Sequence, residues 1–292
     1  MRNATEHSIT EAVLARLAGA PSPRTRAVSE ALVRHLHAFL REVRPSQEEW
    51  AAGIAFLTET GTMCSDVRQE FVLLSDTLGA SMLVDAINHP LPGGATATTV
   101  LGPFHVEAAP ERRAGDDLSA GLPGERMIVE GTVRGPDGAP RPDAWLDVWH
   151  SDAAGFYDVQ KDGEAPPELH LRARLRSDAE GRFWFRSIVP ACYPIPHDGP
   201  VGRMLNAQGR HPFRPAHVHF MIGAPGCATL VTHIFLAGDR FLDSDVVFGV
   251  KDSLVRPLQR LEGGTTPHGH RIEGPCALLR YDFTLAPGSE TA

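Results

Sequence analysis

Apolar positions recur at helical spacing in the first hundred residues and at strand spacing in most of the remainder. Between residues 25 and 43, Val28, Leu32, Leu36, Phe39 and Val43 share one helical face. Arg44-Pro45 ends that run, because a residue before proline is pushed out of the helical region. Ser46 with Glu49 forms a capping box for a second helix, whose Trp50, Ile54 and Leu57 share a face. A third, longer helix is predicted over 65–89, with Val67, Phe71, Leu74, Leu78 and Met82 as one stripe. Leu73, Leu83, Val84 and Ile87 widen the stripe, so this helix is expected to face both the rest of the chain and a second subunit.

At Pro90 the pattern changes. LPGGATATTVLGPFH is a connector rich in glycine, proline and threonine, and after it short strand-like runs are punctuated by proline and glycine. Strands are predicted near 127–134, 144–150, 171–177, 182–187, 217–222, 230–235 and 277–285. The expected fold is mainly β with an α N-terminal part: a helical domain over 1–105 and a β-sandwich over 106–292. The C-terminal PGSETA reads as disordered.

The formal charge of −8 disfavours nucleic acid or an anionic membrane as partner, so an anionic substrate has to be met by a local cation. Cys64, Cys192, Cys227 and Cys276 are too sparse for a disulfide framework and are read as reduced. The N-terminus lacks an apolar signal core, and no run approaches the roughly 20 apolar residues of a membrane span. The expected location is cytoplasmic.

Three His-x-His pairs occur. His35 and His37 fall in a helical run, where residues two apart diverge, and His268 and His270 fall in a loop with no strand to aim them. His217 and His219 differ, because a strand with Val218 and Phe220 on one face turns both histidines to the other, roughly 6.6 Å apart along the chain. Taken alone, they read equally as strand histidines or as metal ligands. Of the three tyrosines, Tyr281 alternates within a strand, as a core or edge residue would, whereas Tyr157 and Tyr193 lie in turn-rich segments. Two loop tyrosines beside a His-x-His strand suggest two phenolates and two imidazoles around one metal. A phenol keeps its proton up to a pKa of about 10, and a trivalent ion displaces it far more readily than a divalent one, so the set favours Fe(III) over Fe(II) or zinc.

The runs Leu146-Asp147-Val148-Trp149-His150, Gly155-Phe156-Tyr157-Asp158, Tyr193-Pro194-Ile195-Pro196 and Arg214-Pro215-Ala216-His217-Val218-His219-Phe220 resemble, in order, those of the intradiol ring-cleavage dioxygenases. This is the catechol and hydroxyquinol 1,2-dioxygenase group, and the resemblance covers nearly the whole chain, including LGPFHV at 101–106. Arg141 departs from it, standing where the family carries an apolar residue. The resemblance implies one non-haem Fe(III) held by Tyr157, Tyr193, His217 and His219, with hydroxide completing the shell. It also implies a substrate bound as a chelating dianion that displaces the hydroxide and Tyr193. Arg214, a permanent cation three residues before His217, is expected to meet the negative charge that develops on the ring.

The segments at 73–90 and 230–235 resemble the hydroxyquinol branch, and His233 stands where catechol enzymes carry glutamine. By the same resemblance the pocket is lined by Leu73, Asp76, Val100, Leu101, Gly102, Pro103, Phe104, Ile195, Pro196 and Val247. Asp76 is expected to accept a hydrogen bond from a third ring hydroxyl. The implied reaction is cleavage of hydroxyquinol by O2 to 3-hydroxy-cis,cis-muconate in aromatic catabolism. The family also implies a homodimer through the N-terminal helices, around a tunnel that can hold a phospholipid. Catechol or chlorocatechol cleavage is the alternative within the same chemistry. A non-catalytic β-sandwich binding module and a zinc hydrolase are alternatives outside it, the latter weakened by the lack of an evident third carboxylate or histidine ligand.

Overall fold

The structure is a computed structural model that describes residues 2–65, 68–90, 94–119, 121–160 and 169–288. Val67 of the predicted stripe, residues 91–93 of the connector and residues 289–292 of the tail lie outside the described residues. The chain divides into two compact units, Met1–Glu59 and Thr60–Ala292.

The first unit contains α1 (Ile9–Leu17), α2 (Pro23–Val43) and most of α3 (Gln47–Thr62). Ser22 caps α2 by accepting from the Thr25 N–H at 3.3 Å, and Pro23 stands in the first turn, where no N–H is needed. The predicted capping box of α3 is reciprocal: Ser46 Oγ accepts from the Glu49 N–H at 3.1 Å, and Glu49 Oε2 accepts from the Ser46 N–H at 2.7 Å. α1 was not among the predicted elements and buries only Leu14. Val28, Leu32, Leu36, Phe39 and Val43 stay exposed along α2, Leu32 by 64%.

The second unit opens with a correction. The single helix expected over 65–89 is two, α4 (Glu70–Thr77) and α5 (Ala80–Asn88). They part at Gly79, whose φ of 74° lies in the left-handed region that glycine enters without steric cost. Leu73 is buried, but Leu78, Leu83, Val84 and Ile87 remain exposed.

The strands are β1 (Arg126–Arg134), β2 (Trp145–His150), β3 (Arg172–Arg176), β4 (Arg182–Ile188), β5 (Tyr193–Pro194), β6 (Phe213–Arg214), β7 (His217–Gly223), β8 (Leu230–Leu236), β9 (Val255–Arg256), β10 (Gln259–Leu261), β11 (Gly264–Thr265), β12 (Arg271–Ile272), β13 (Cys276–Arg280) and β14 (Phe283–Thr284). One sheet runs β10-β13-β1-β14 with β4 also on β1, and the other runs β3-β2-β7-β8-β9. Met127, Val129, Phe183 and Phe185 of the first meet Leu146, Val148, Val218 and Phe220 of the second in one core, so the β part is a sandwich, as expected.

The last predicted strand, 277–285, is interrupted at Tyr281-Asp282. There the Asp282 carboxylate accepts from the Thr132 N–H at 3.0 Å and from its hydroxyl at 2.9 Å. A helix absent from the prediction, α6 (Pro200–Ala207), follows β5. Tyr193 of β5 stands opposite Arg214 of β6, a two-residue ladder that brings the loop tyrosine beside the strand carrying the histidines.

Candidate metal centre and active site

Alternation along β7 sends Val218, Phe220 and Ile222 into the core and turns His217 and His219 the other way. Register then builds a row across the outer face: Arg172 of β3 opposite Trp149 of β2, Trp149 opposite His219, and His219 opposite His233 of β8. The Trp149 ring stacks on His219 with centroids 4.6 Å apart and fixes its plane. Tyr157 comes from the turn after β2. Asp152 Oδ1 accepts from the Ala154 and Phe156 N–H groups at 2.9 Å each, and the Tyr157 N–H donates to Gln160 Oε1 at 2.8 Å. The next residue, Asp158, is held by Arg172 in a buried ion pair, Nε to Oδ2 at 2.6 Å.

Tyr157 Oη and His217 Nε2 each lie 3.0 Å from His219 Nε2, and all three side chains are buried. His217 Nδ1 donates to the Pro215 carbonyl at 2.7 Å, which leaves a lone pair on Nε2 facing the cluster. Ligand atoms about 2.0–2.1 Å from one ion and at right angles to each other lie about 2.9 Å apart, so this spacing fits a metal. Burial pushes His217 and His219 well below the ordinary imidazole value, Arg214 adding to the effect at His217 and His233 at His219, so both present the neutral, ligating form. Burial, with Tyr193 alongside, pushes the Tyr157 phenol well above its ordinary value. A phenolate at that position therefore requires a strong cation in contact with it.

Tyr193 is also buried, its ring 5.1 Å from that of Tyr157 and 5.6 Å from that of His217. Its hydroxyl lies 3.5 Å from Arg214 Nη1, and the same Nη1 lies 3.3 Å from His217 Nε2. Arg214 is buried as well. Burial alone would lower the guanidinium pKa, but the Asp245 carboxylate raises it, accepting from Nε at 3.2 Å and from Nη2 at 3.4 Å.

His233 also stands near the pair, one ligand atom from each of His217, His219 and His233 falling within 4.8 Å of the others. Arg214 Nη2 lies 3.3 Å from His233 Nδ1. An arginine only donates, so this contact makes Nδ1 the acceptor and puts the ring proton on Nε2, leaving no lone pair there for a metal.

Leu73, Ile195 and Val247 share one apolar cluster with Tyr157 and Tyr193, and Val100 and Phe104 pack against it. Phe104 stacks on Tyr157 at 4.4 Å. Gly102 has φ 78°, and a Cβ there would stand 3.2 Å from His219 Cε1, so the backbone closes directly on the His219 ring. Leu101 and Pro103 are exposed and Pro196 is half-buried. Asp76 of α4 is buried rather than solvated; burial raises its carboxyl pKa, while the Ser81 hydroxyl and the charge of Arg214 pull it back. Trp149, Asp158, Arg172 and Asp245 position the site without having been assigned to it from sequence. The first two stand in the motifs quoted above, and a carboxylate such as Asp245 is what a buried Arg214 demands.

The family model described as "Dioxygenase" matches residues 100–287, and that described as "Catechol dioxygenase N terminus" matches residues 22–96. The chain belongs to this dioxygenase family, whose members cleave the ring between adjacent hydroxyls. It is 52% identical to hydroxyquinol 1,2-dioxygenase of Nocardioides simplex over 98% of this chain and 97% of that one. It is 51% identical to 6-chlorohydroxyquinol 1,2-dioxygenase of Cupriavidus pinatubonensis, over 98% and 99% of the two chains. The crystal structure of hydroxyquinol 1,2-dioxygenase from Pseudomonas putida superposes with a TM-score of 0.91 at 46% identity, covering 97% of this chain and 99% of that chain. Among the described residues no helix is long and apolar enough to cross a membrane.

Asp245→Ala leaves the Arg214 guanidinium buried without its counter-charge and should cost about 3–5 kcal/mol of stability in urea unfolding. A loss below about 1 kcal/mol would show that Asp245 does not anchor Arg214.

Proposed function

We propose that the protein is a hydroxyquinol-cleaving intradiol dioxygenase with one Fe(III) per subunit, held by Tyr157, Tyr193, His217 and His219. The observation that carries the reading is the convergence of the buried Tyr157 Oη and His217 Nε2 on His219 Nε2, each at 3.0 Å. When bound, ferric iron supplies the Lewis acidity that holds the diol as a dianion and opens its ring to O2.

The chain's own residues do the rest. With the metal bound, Tyr193 would be the ligand exchanged for substrate, and its oxygen would accept a substrate proton. Arg214 stays cationic beside it and offsets the charge developing on the ring, its direction fixed by Asp245. Leu73, Phe104, Ile195 and Val247 hold the ring plane, with Val100, Leu101, Gly102, Pro103 and Pro196 completing the wall. Asp76 supplies the polar contact for the third hydroxyl, and His233 lines the pocket beside Arg214. The carbon-carbon bond between the two vicinal hydroxyl carbons breaks, and both atoms of O2 enter 3-hydroxy-cis,cis-muconate, the enol form of maleylacetate. The similarity to hydroxyquinol enzymes along the whole chain favours this triol over catechol or chlorocatechol.

We assign dimerisation to the helices of 1–105 and catalysis to 106–292, with Leu73 and Asp76 reaching from the former into the pocket. The exposed stripe of α2 supports a homodimer, as does the separate exposed set Leu83, Val84 and Ile87 of α5. A phospholipid between the subunits fits the same apolar surfaces. Four unpaired cysteines support a cytoplasmic setting, which fractionation of cells would overturn by placing the protein outside that compartment.

Substrate-dependent O2 uptake by the iron-loaded protein should be fastest with hydroxyquinol. Asp76→Ala should lower kcat/KM for hydroxyquinol by about 10–100-fold and for catechol far less. Equal losses for both would make Asp76 structural, and faster uptake with catechol in the unaltered enzyme would favour the catechol reading. Sedimentation should give twice the mass of the 31.6 kDa chain, with phospholipid recovered on organic extraction. A 31.6 kDa monomer would contradict the dimer.

A further inference from the structure

A second set of metal-ligating side chains lies on the sheet that does not carry His217 and His219. Alternation along β1 sends Val129 into the main core and Ile128 and Glu130 to the opposite face, where Ile128 packs with Ile272 of β12. Glu130 is fully buried there. Its Oε2 accepts from the Thr266 hydroxyl at 2.6 Å, while Oε1 has no hydrogen-bond partner. A buried carboxylate oxygen left unpaired is costly unless a cation meets it.

The loop between β11 and β12 brings candidate partners for that oxygen. The Thr266 N–H donates to the His270 carbonyl at 2.9 Å, the Gly269 N–H donates to the Thr266 carbonyl at 2.8 Å, and the His270 N–H donates to Thr266 Oγ1 at 3.2 Å. Thr266 thus ties the loop to itself and to Glu130. Trp184 of β4, opposite Glu130 in the ladder, stacks on the His270 ring with centroids 4.0 Å apart. One ligand atom from each of Glu130, His268 and His270 lies within 4.8 Å of the other two. His268 Nδ1 and His270 Nε2 are, like Glu130 Oε1, buried atoms with no hydrogen-bond partner. The pair judged from sequence to lack anything to aim it is aimed by Thr266 and Trp184.

We propose that Glu130, His268 and His270 form a second metal site, which takes a zinc-class divalent cation and fastens the β11–β12 hairpin to the sheet. Two imidazoles and one carboxylate suit zinc, with water in the fourth position. Arg280 is the competing cation. Its Nε stands 4.0 Å from Glu130 Oε1, beyond hydrogen-bond length, and its Nη2 lies 3.4 Å from His268 Nε2. Ligation through His268 Nδ1 moves the ring proton to Nε2, and Arg280, half exposed, turns out to solvent.

The test uses the full-length, iron-loaded enzyme, exposed to Zn(II), dialysed and analysed for both metals. About one zinc per chain should be retained beyond the iron, and the double variant His268→Ala/His270→Ala should lose it with its iron content unchanged. Thr266→Ala, which removes the hydroxyl orienting Glu130, should weaken zinc binding about 10–100-fold, whereas Arg280→Gln should leave it equal or tighter. Circular dichroism of the double variant, whose changes lie in a half-exposed loop, checks that it folds. No retained zinc in the unaltered enzyme, or the same zinc in the double variant, overturns the proposal.

Discussion

The two-residue period of β7 is the constraint on which the rest of the site depends. One strand buries Val218, Phe220 and Ile222 between the sheets and, by the same geometry, commits His217 and His219 to the opposite face. A register slip of one residue would put imidazoles in the core and aliphatic groups at the candidate site, so the hydrophobic effect that holds the sandwich also holds the two histidines in place. Trp149 and His233, opposite His219 in the ladder, are placed by the same register.

A buried cation and its counter-ion set the electrostatics around those histidines. Arg214 is held by Asp245 and reaches Tyr193, His217 and His233 from one guanidinium, so its five donors assign each neighbour a role as acceptor. The Pro215 carbonyl holds the His217 proton on Nδ1, so the Nε2 lone pair faces the cluster and Arg214 Nη1 alike, whereas at His233 Arg214 takes up the Nδ1 lone pair and withdraws that ring from ligation. Under the proposed reading it also stabilises Tyr193 once that tyrosine is free.

The fold and the placement of the candidate site were legible where local pattern decides structure. The capping box of Ser46 and Glu49, the sandwich strands and the face of His217 and His219 all follow from spacing within a few residues. The departures come from interactions that spacing does not encode. Gly79 keeps the apolar stripe nearly in phase while its backbone turns left-handed, so one predicted helix becomes two. The break at Asp282 is made by Thr132, 150 residues away, and the nearness of His233 to the pair requires two strands to be paired before it can be seen. Asp76 looks like a solvated helical acid in sequence and is buried only because α4 packs into the apolar cluster.

The visible absorption spectrum of the iron-loaded protein tests the central claim most directly. Two phenolates on Fe(III) should give a coloured protein through phenolate-to-metal charge transfer, with the band weakened or shifted in both Tyr157→Phe and Tyr193→Phe at full iron content. A colourless protein with iron bound, or a band unchanged in both variants, would contradict a ferric centre held by these tyrosines.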